Sequence, residues 1–106
     1  MPNSQASFRA LADPTRRAII SRLSTGEMTI TQAVADFEMT RTAVRKHLTV
    51  LEQGALINIR PAGRERQISL RPEGLRLVAD WVGEFSRFWD DKLSALQTAI
   101  HEEDKS

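Results

Sequence analysis

The 106-residue chain has no cysteine, no tyrosine and only two histidines, His47 and His101. It also has no apolar run near the roughly 18 residues that a membrane-spanning helix needs, and no signal-peptide pattern. Without cysteine there can be no disulfide and no thiolate metal site. With no Gly-rich phosphate loop, no HExxH and two histidines far apart, a nucleophile would have no partnered base. Asp90 and Asp91 are adjacent on a helical pattern and point about 100° apart, which fits a solvated face better than shared acid/base work. Neither catalysis nor a cofactor is expected. The expected setting is the cytoplasm, with no membrane partner. No internal repeat or low-complexity block is found.

What remains is a single domain, residues 1–106, with a small core: 41% of residues are hydrophobic, and domains of this size are marginal unless they associate. Net charge is only +1, but it is unevenly placed. Residues 41–71 hold seven basic and two acidic residues, a net +5, whereas residues 72–106 hold four basic and eight acidic, a net −4. A basic middle beside an acidic C-terminal part is the footprint of one surface facing phosphate and the rest facing away.

Two short helical patterns, about residues 30–53, lead into the basic middle. Thr40 is a good N-cap and Gly54 a natural αL stop, so the second helix spans about Arg41 to Gln53. At roughly 100° per residue, Val44, Leu48 and Leu51 form one stripe while Thr42, Arg45, Lys46 and Thr49 point the other way. Upstream, Ile30, Ala33, Val34 and Phe37 give an apolar side, joined to the second helix through Glu38 and Met39. The pair reads as a helix-turn-helix, whose second helix meets base edges with its N-terminal half. Thr40, Arg41, Thr42, Arg45, Lys46 and Thr49 are the candidate DNA contacts, able to serve guanine O6/N7, thymine O4 or phosphate. For an isolated helix a plain solvated face would be the better reading.

The next segment strengthens the nucleic-acid reading. Apolar residues alternate in Leu56–Arg60 and Arg66–Leu70, separated by the turn-forming Pro61-Ala62-Gly63-Arg64. This predicts a β-hairpin, about residues 56–70, with Arg60, Arg64 and Arg66 clustered at its tip where they can reach phosphates or a minor groove. A helix-turn-helix followed by such a hairpin is a winged helix, mainly α with a small β-hairpin (α+β). Before the motif, Asp13-Pro14 starts another helix, with Ile19, Ile20 and Leu23 as its stripe and Thr25-Gly26 as its stop.

From Pro72 to about Thr98 the pattern is again helical. Val78, Val82, Phe85, Trp89, Leu93 and Leu96 lie within an arc of about 80°, widened by Trp81 and Phe88. Four of the six aromatic residues fall between positions 81 and 89. A helix of about 27 residues is roughly 40 Å long, more than one small body needs. The expected partner is the same helix of a second subunit, with the N-terminal helix around Phe8 and Leu11 alongside, giving a two-fold homodimer. The polar first six residues and the charged His101–Ser106 are expected to fray.

Three segments in this order, Leu11–Ile20 (LADPTRRAII), Thr40–Leu56 (TRTAVRKHLTVLEQGAL) and Ala62-Gly63-Arg64 with Arg66, resemble the ArsR-type winged-helix repressors. The resemblance covers about residues 5–98. It implies a bacterial or archaeal homodimer that binds double-stranded operator DNA, dimerises through its N- and C-terminal helices and usually represses. It places Arg41, Thr42, Arg45 and Lys46 on the helix and Arg64 and Arg66 on the wing against DNA. It leaves room for a small-molecule inducer that the residues do not identify. Glu38 stands at a turn position where many relatives carry glycine, which implies local backbone strain.

Thiol-sensing relatives carry Cys-Val-Cys where this chain has Thr29-Ile30-Thr31. Zinc-binding relatives carry Asp-x-His where it has Asp80-Trp81-Val82 and Asp91-Lys92-Leu93. Neither metal site is expected. His47 is read as a packing or hydrogen-bonding residue, and His101 with Glu102, Glu103 and Asp104 as a solvated tail. The alternative function is a winged-helix protein-interaction adaptor whose basic face has no specific DNA partner.

Overall fold

The computed structural model describes residues 4–104. The elements are α1 (Ser4–Leu11), α2 (Pro14–Leu23), β1 (Met28–Thr29), α3 (Ile30–Phe37), α4 (Arg41–Gln53), β2 (Ile57–Ala62), β3 (Glu65–Leu70) and α5 (Pro72–Asp104).

The starts of α2, α3 and α4 each have a local cause. Asp13 Oδ2 accepts from the Arg16 amide at 3.1 Å, and Pro14 follows at the first helical position. Thr29 and Gln32 form a reciprocal capping box: the Gln32 amide donates to Thr29 Oγ1 at 3.1 Å and the Thr29 amide to Gln32 Oε1 at 2.8 Å. Thr40 Oγ1 accepts from the Ala43 amide at 3.1 Å, so α4 begins at Arg41 as the sequence predicts. Glu38 ends α3 in the left-handed region, φ 51° and ψ 45°, the strained turn expected for a residue standing where glycine is easier.

The sheet has three strands rather than two. β1 pairs antiparallel with β3 (Met28↔Ile68), giving the order β1-β3-β2. Two residues are too few to show alternation, so β1 left no mark in the sequence pattern. Pro61 and Ala62, expected in the turn, extend β2 and pair with Arg66 and Glu65, which leaves Gly63-Arg64 as a two-residue turn. Pro61 fits because β2 is an edge strand.

The expected αL stop at Gly54 is a residue off. Gly54 has φ −82° and Ala55 takes the positive φ of 57°. Gly54 is needed for closeness instead: a Cβ there would lie 2.9 Å from the Ala6 carbonyl oxygen and 3.1 Å from Ser7 Cα. That approach lets the buried Ser7 hydroxyl donate to the Gly54 carbonyl at 2.7 Å. Gly74 docks on the same corner, its amide donating to the Ala55 carbonyl at 2.8 Å, with room for no side chain.

One core joins the body: Ile19 and Leu23 of α2, Met28, Ile30 and Ala33, Val44, Leu48 and Leu51 of α4, and Leu56, Ile57 and Ile68 of the wing. α5 leaves it early. Leu75 packs against the core and Val78 is half-buried, but every residue from Ala79 to Glu102 is exposed. The helix also runs on to Asp104, past the expected end near Thr98, because no glycine or proline stops it. Residues 4–6 belong to α1 and 101–104 to α5; residues 1–3 and 105–106, expected to fray with them, lie outside the described residues. The projecting helix stretches the molecule to 70 × 32 × 20 Å, with a radius of gyration of 19.0 Å. A compact domain of this length has about 13 Å.

Candidate nucleic-acid interface

α4 is divided between two environments. Val44, Leu48 and Leu51 are buried, and Thr40, Arg41, Thr42, Arg45, Lys46 and Thr49 are exposed. The 3.6-residue period therefore delivers cationic and hydroxyl groups to the free side of a helix whose other side is fixed in the core.

The wing adds to this face selectively. Arg66 lies on the same side of β3 as Ile68, and its side chain lines a cleft of about 280 Å³ between wing and α4, with Arg45 and Thr49 opposite and Ile30, Leu48 and Ile59 as the floor. Arg64 is exposed at the turn. Arg60 does not join them. Alternation along β2 puts it on the opposite side from Ile59, where its Nη2 donates to Glu27 Oε1 and Oε2 at 3.1 and 2.9 Å. The expected cluster of three arginines is thus two, with Arg60 held on the far face of the sheet.

Thr31 and Glu65 carry no signal in the sequence pattern, yet they belong to this face. The Thr31 hydroxyl donates to both Glu65 carboxylate oxygens at 2.9 and 3.0 Å, and Arg41 Nη1 donates to Thr31 Oγ1 at 3.4 Å. This links the start of α3, the base of the wing turn and the first residue of α4. The contact spans 34 residues of sequence, beyond the reach of any local period.

His47 is structural, as expected. Its Nδ1 lies 3.3 Å from Arg16 Nη1 and 3.9 Å from Asp13 Oδ2. In the tautomer with hydrogen on Nε2, Nδ1 accepts from Arg16. Arg16 also donates through Nε to the Ala10 carbonyl at 2.7 Å and through Nη2 to the Arg9 carbonyl at 3.1 Å. One guanidinium therefore ties the end of α1 to the flank of α4. The Arg16 backbone amide, against an opposing desolvation and aided by the Arg16 charge, holds the Asp13 carboxyl below its ordinary range. Among the described residues, no group of three or more His, Cys, Asp or Glu converges as metal ligands would, and no helix is long and apolar enough to cross a membrane.

The residues expected at a dimer interface are divided as well. Leu11 packs against the core and Phe8 meets Trp81 edge-on, with ring centroids 5.2 Å apart. Val82, Phe85, Phe88, Trp89, Leu93 and Leu96 stand exposed along α5. The ring contacts there are between near neighbours: Trp81 with Phe85 at 4.6 Å and Phe88 with Trp89 at 5.7 Å, while Lys92 Nζ lies 5.5 Å from the Phe88 centroid.

Comparison with known proteins agrees with this geometry. A family described as a helix-turn-helix domain matches residues 11–60. The HTH-type transcriptional regulator Rv2034 of Mycobacterium tuberculosis is 38% identical over 96 residues, which is 91% of this chain and 87% of that protein. The transcriptional repressor SdpR of Bacillus subtilis is 30% identical over 86 residues, covering 81% of this chain and 96% of the relative. The crystal structure of an ArsR family transcriptional regulator superposes with a TM-score of 0.74 at 33% identity, covering 85% of this chain and 97% of that one. Fold, basic face and relatives together define a DNA-binding transcriptional regulator of the winged helix-turn-helix class. Within that class, the chain belongs to the ArsR family.

Proposed function

We propose that the protein is a homodimeric repressor that binds a palindromic operator from the cytoplasm. α4 enters the major groove and the wing lies on the backbone or in the adjacent minor groove. The observation that carries this reading is the shared face of Arg41, Thr42, Arg45, Lys46 and Arg66, exposed and anchored from behind by Val44, Leu48 and Ile68. Arg45 and Lys46 have the reach for base edges, while Thr40, Thr49, Arg64 and Arg66 are suited to phosphate and sugar. Arg60 is left out of the set because Glu27 already holds it on the other face. Two copies about a two-fold axis suit half-sites roughly 34 Å apart, one helical turn. That a relative is named a repressor supports the sign of regulation.

Selection of genomic fragments, followed by mobility shifts on those enriched, tests the proposal. The wild type should enrich an inverted repeat, Arg45→Ala should lose that preference, and affinity should fall roughly a thousandfold between 50 and 200 mM salt if about six phosphates are contacted. Binding that is indifferent to salt and to Arg45→Ala would make the basic face a protein-docking surface instead.

A further inference from the structure

The wing carries a single acid, Glu65, set in sequence between Arg64 and Arg66. Elsewhere in the body carboxylates lie against arginines, Glu27 with Arg60 and Asp36 with Arg22. Glu65 behaves differently. Among the described residues it forms no ion pair, and both of its oxygens accept from the Thr31 hydroxyl instead.

The three groups of this link sit on fixed backbone. Thr31 is held in the first turn of α3 by the capping box of Thr29 and Gln32, Glu65 by its pairing with Ala62 across the wing turn, and Arg41 at the start of α4 by the Thr40 cap. A hydroxyl has one hydrogen to give and rotates to give it. Because the Glu65 carboxylate takes that hydrogen at 2.9 and 3.0 Å, the Thr31 lone pairs are left for Arg41 Nη1 at 3.4 Å. Without Glu65 the same hydroxyl is free to turn to water or to a nearby carbonyl. Arg41 uses one of its several N–H donors on Thr31, which leaves the others for a guanine edge or a phosphate.

We propose that Glu65 is a positioning residue that sets operator selectivity: acting through Thr31, it aims the Arg41 guanidinium at its place on the duplex. This rests on the operator binding of the proposed function and gives an anion a part in it. The role accounts for an acid on a surface where its own charge opposes phosphate. That repulsion falls on every duplex alike, whereas an Arg41 held in one orientation favours only the sequence that fits it. An untethered arginine finds phosphate on any duplex, and gives up its rotamer freedom to do so.

Affinities of the full chain for an enriched operator fragment and for an unrelated duplex, measured side by side, test this. Glu65→Ala should bind the unrelated duplex roughly threefold more tightly, the effect of removing one charge about 7 Å from a phosphate in a watery medium. The ratio of operator to unrelated affinity should nonetheless fall roughly tenfold. Glu65→Gln keeps an acceptor for Thr31 without the charge, so both affinities should rise and the ratio should hold. Thr31→Val should lower the ratio without raising the unrelated affinity, and Thr31→Ser should restore it. In an Arg41→Ala background Glu65→Ala should no longer move the ratio, because the residue through which it acts is gone. Urea midpoints should stay close to wild type throughout, since none of the three side chains is in the core. A ratio unmoved by both Glu65→Ala and Thr31→Val, or moved just as far without Arg41, would overturn the inference and leave the operator reading standing. A wild type that prefers no fragment over unrelated DNA would overturn both.

Discussion

Between Ala10 and Ile68 the large apolar side chains are buried or packed on a shared core, whereas from Trp81 to Ile100 they are 41% to 57% exposed. In the first region α4, and in the second the outer part of α5, is a helix with a regular apolar stripe. The difference is that α4 meets its complement within 50 residues of its own chain and the outer part of α5 does not. A stripe thus reveals that burial will happen, but not in whose company.

The largest effect expected from breaking this contrast is in the body. Leu51→Ala removes a fully buried side chain between α4 and its neighbours and should cost about 2–5 kcal/mol of unfolding free energy by urea titration. Leu93→Ala, a chemically identical change on α5, should leave body unfolding nearly unchanged in dilute, dissociated protein. Equal destabilisation by the two would mean that the outer helix is part of the monomer's core.

Next comes Phe85→Ala. It should weaken the dimer by about 2 kcal/mol, roughly thirtyfold, and lower operator affinity through that weakening alone. Sedimentation gives the first quantity and a mobility shift the second. A wild type that sediments as a monomer at micromolar concentration would refute the prediction.

Arg45→Ala sharpens the comparison from the other side, since Arg45 lies on α4 but not in its core. It should reduce discrimination between operator and unrelated DNA by about 1–3 kcal/mol while the unfolding midpoint stays put. A lower midpoint with intact discrimination would show that its role is structural.

These regions were also unequally legible in sequence. α4 could be bounded to the residue because Thr40 caps it and the 3.6-residue period sorts its faces, all local information. The end of α5 was misplaced by six residues, Asp104 against Thr98, because nothing in Leu96–Asp104 forbids helix and only a stop signal would have been readable. Gly54 stood out for the wrong reason: its value is the approach of α1, a contact 47 residues away, and not its own φ. β1, Glu65 with Thr31, and Glu27 with Arg60 were invisible for the same cause. Each depends on strand register, which the sequence specifies only through the complete sheet.

The smallest expected effect separates two arginines of the wing that composition treats alike. Arg66 shares a cleft with Arg45 and Thr49, so its charge is presented where a duplex against α4 would pass. Arg60 is spent on Glu27, and both partners are exposed, 61% and 42% by side chain. Such a pair is worth about 0–1 kcal/mol to stability, so Arg60→Ala should barely move the unfolding midpoint. It should also leave the slope of log affinity against log salt where it was. Arg66→Ala should make that slope shallower by about 0.9 for each phosphate that Arg66 neutralises on the duplex. Glu27→Gln provides the control, because releasing Arg60 should change nothing if the far face of the sheet never meets DNA. A shallower slope for Arg60→Ala than for Arg66→Ala would mean that the wing turns its opposite side to the backbone, and the docking of α4 would then have to be rotated with it.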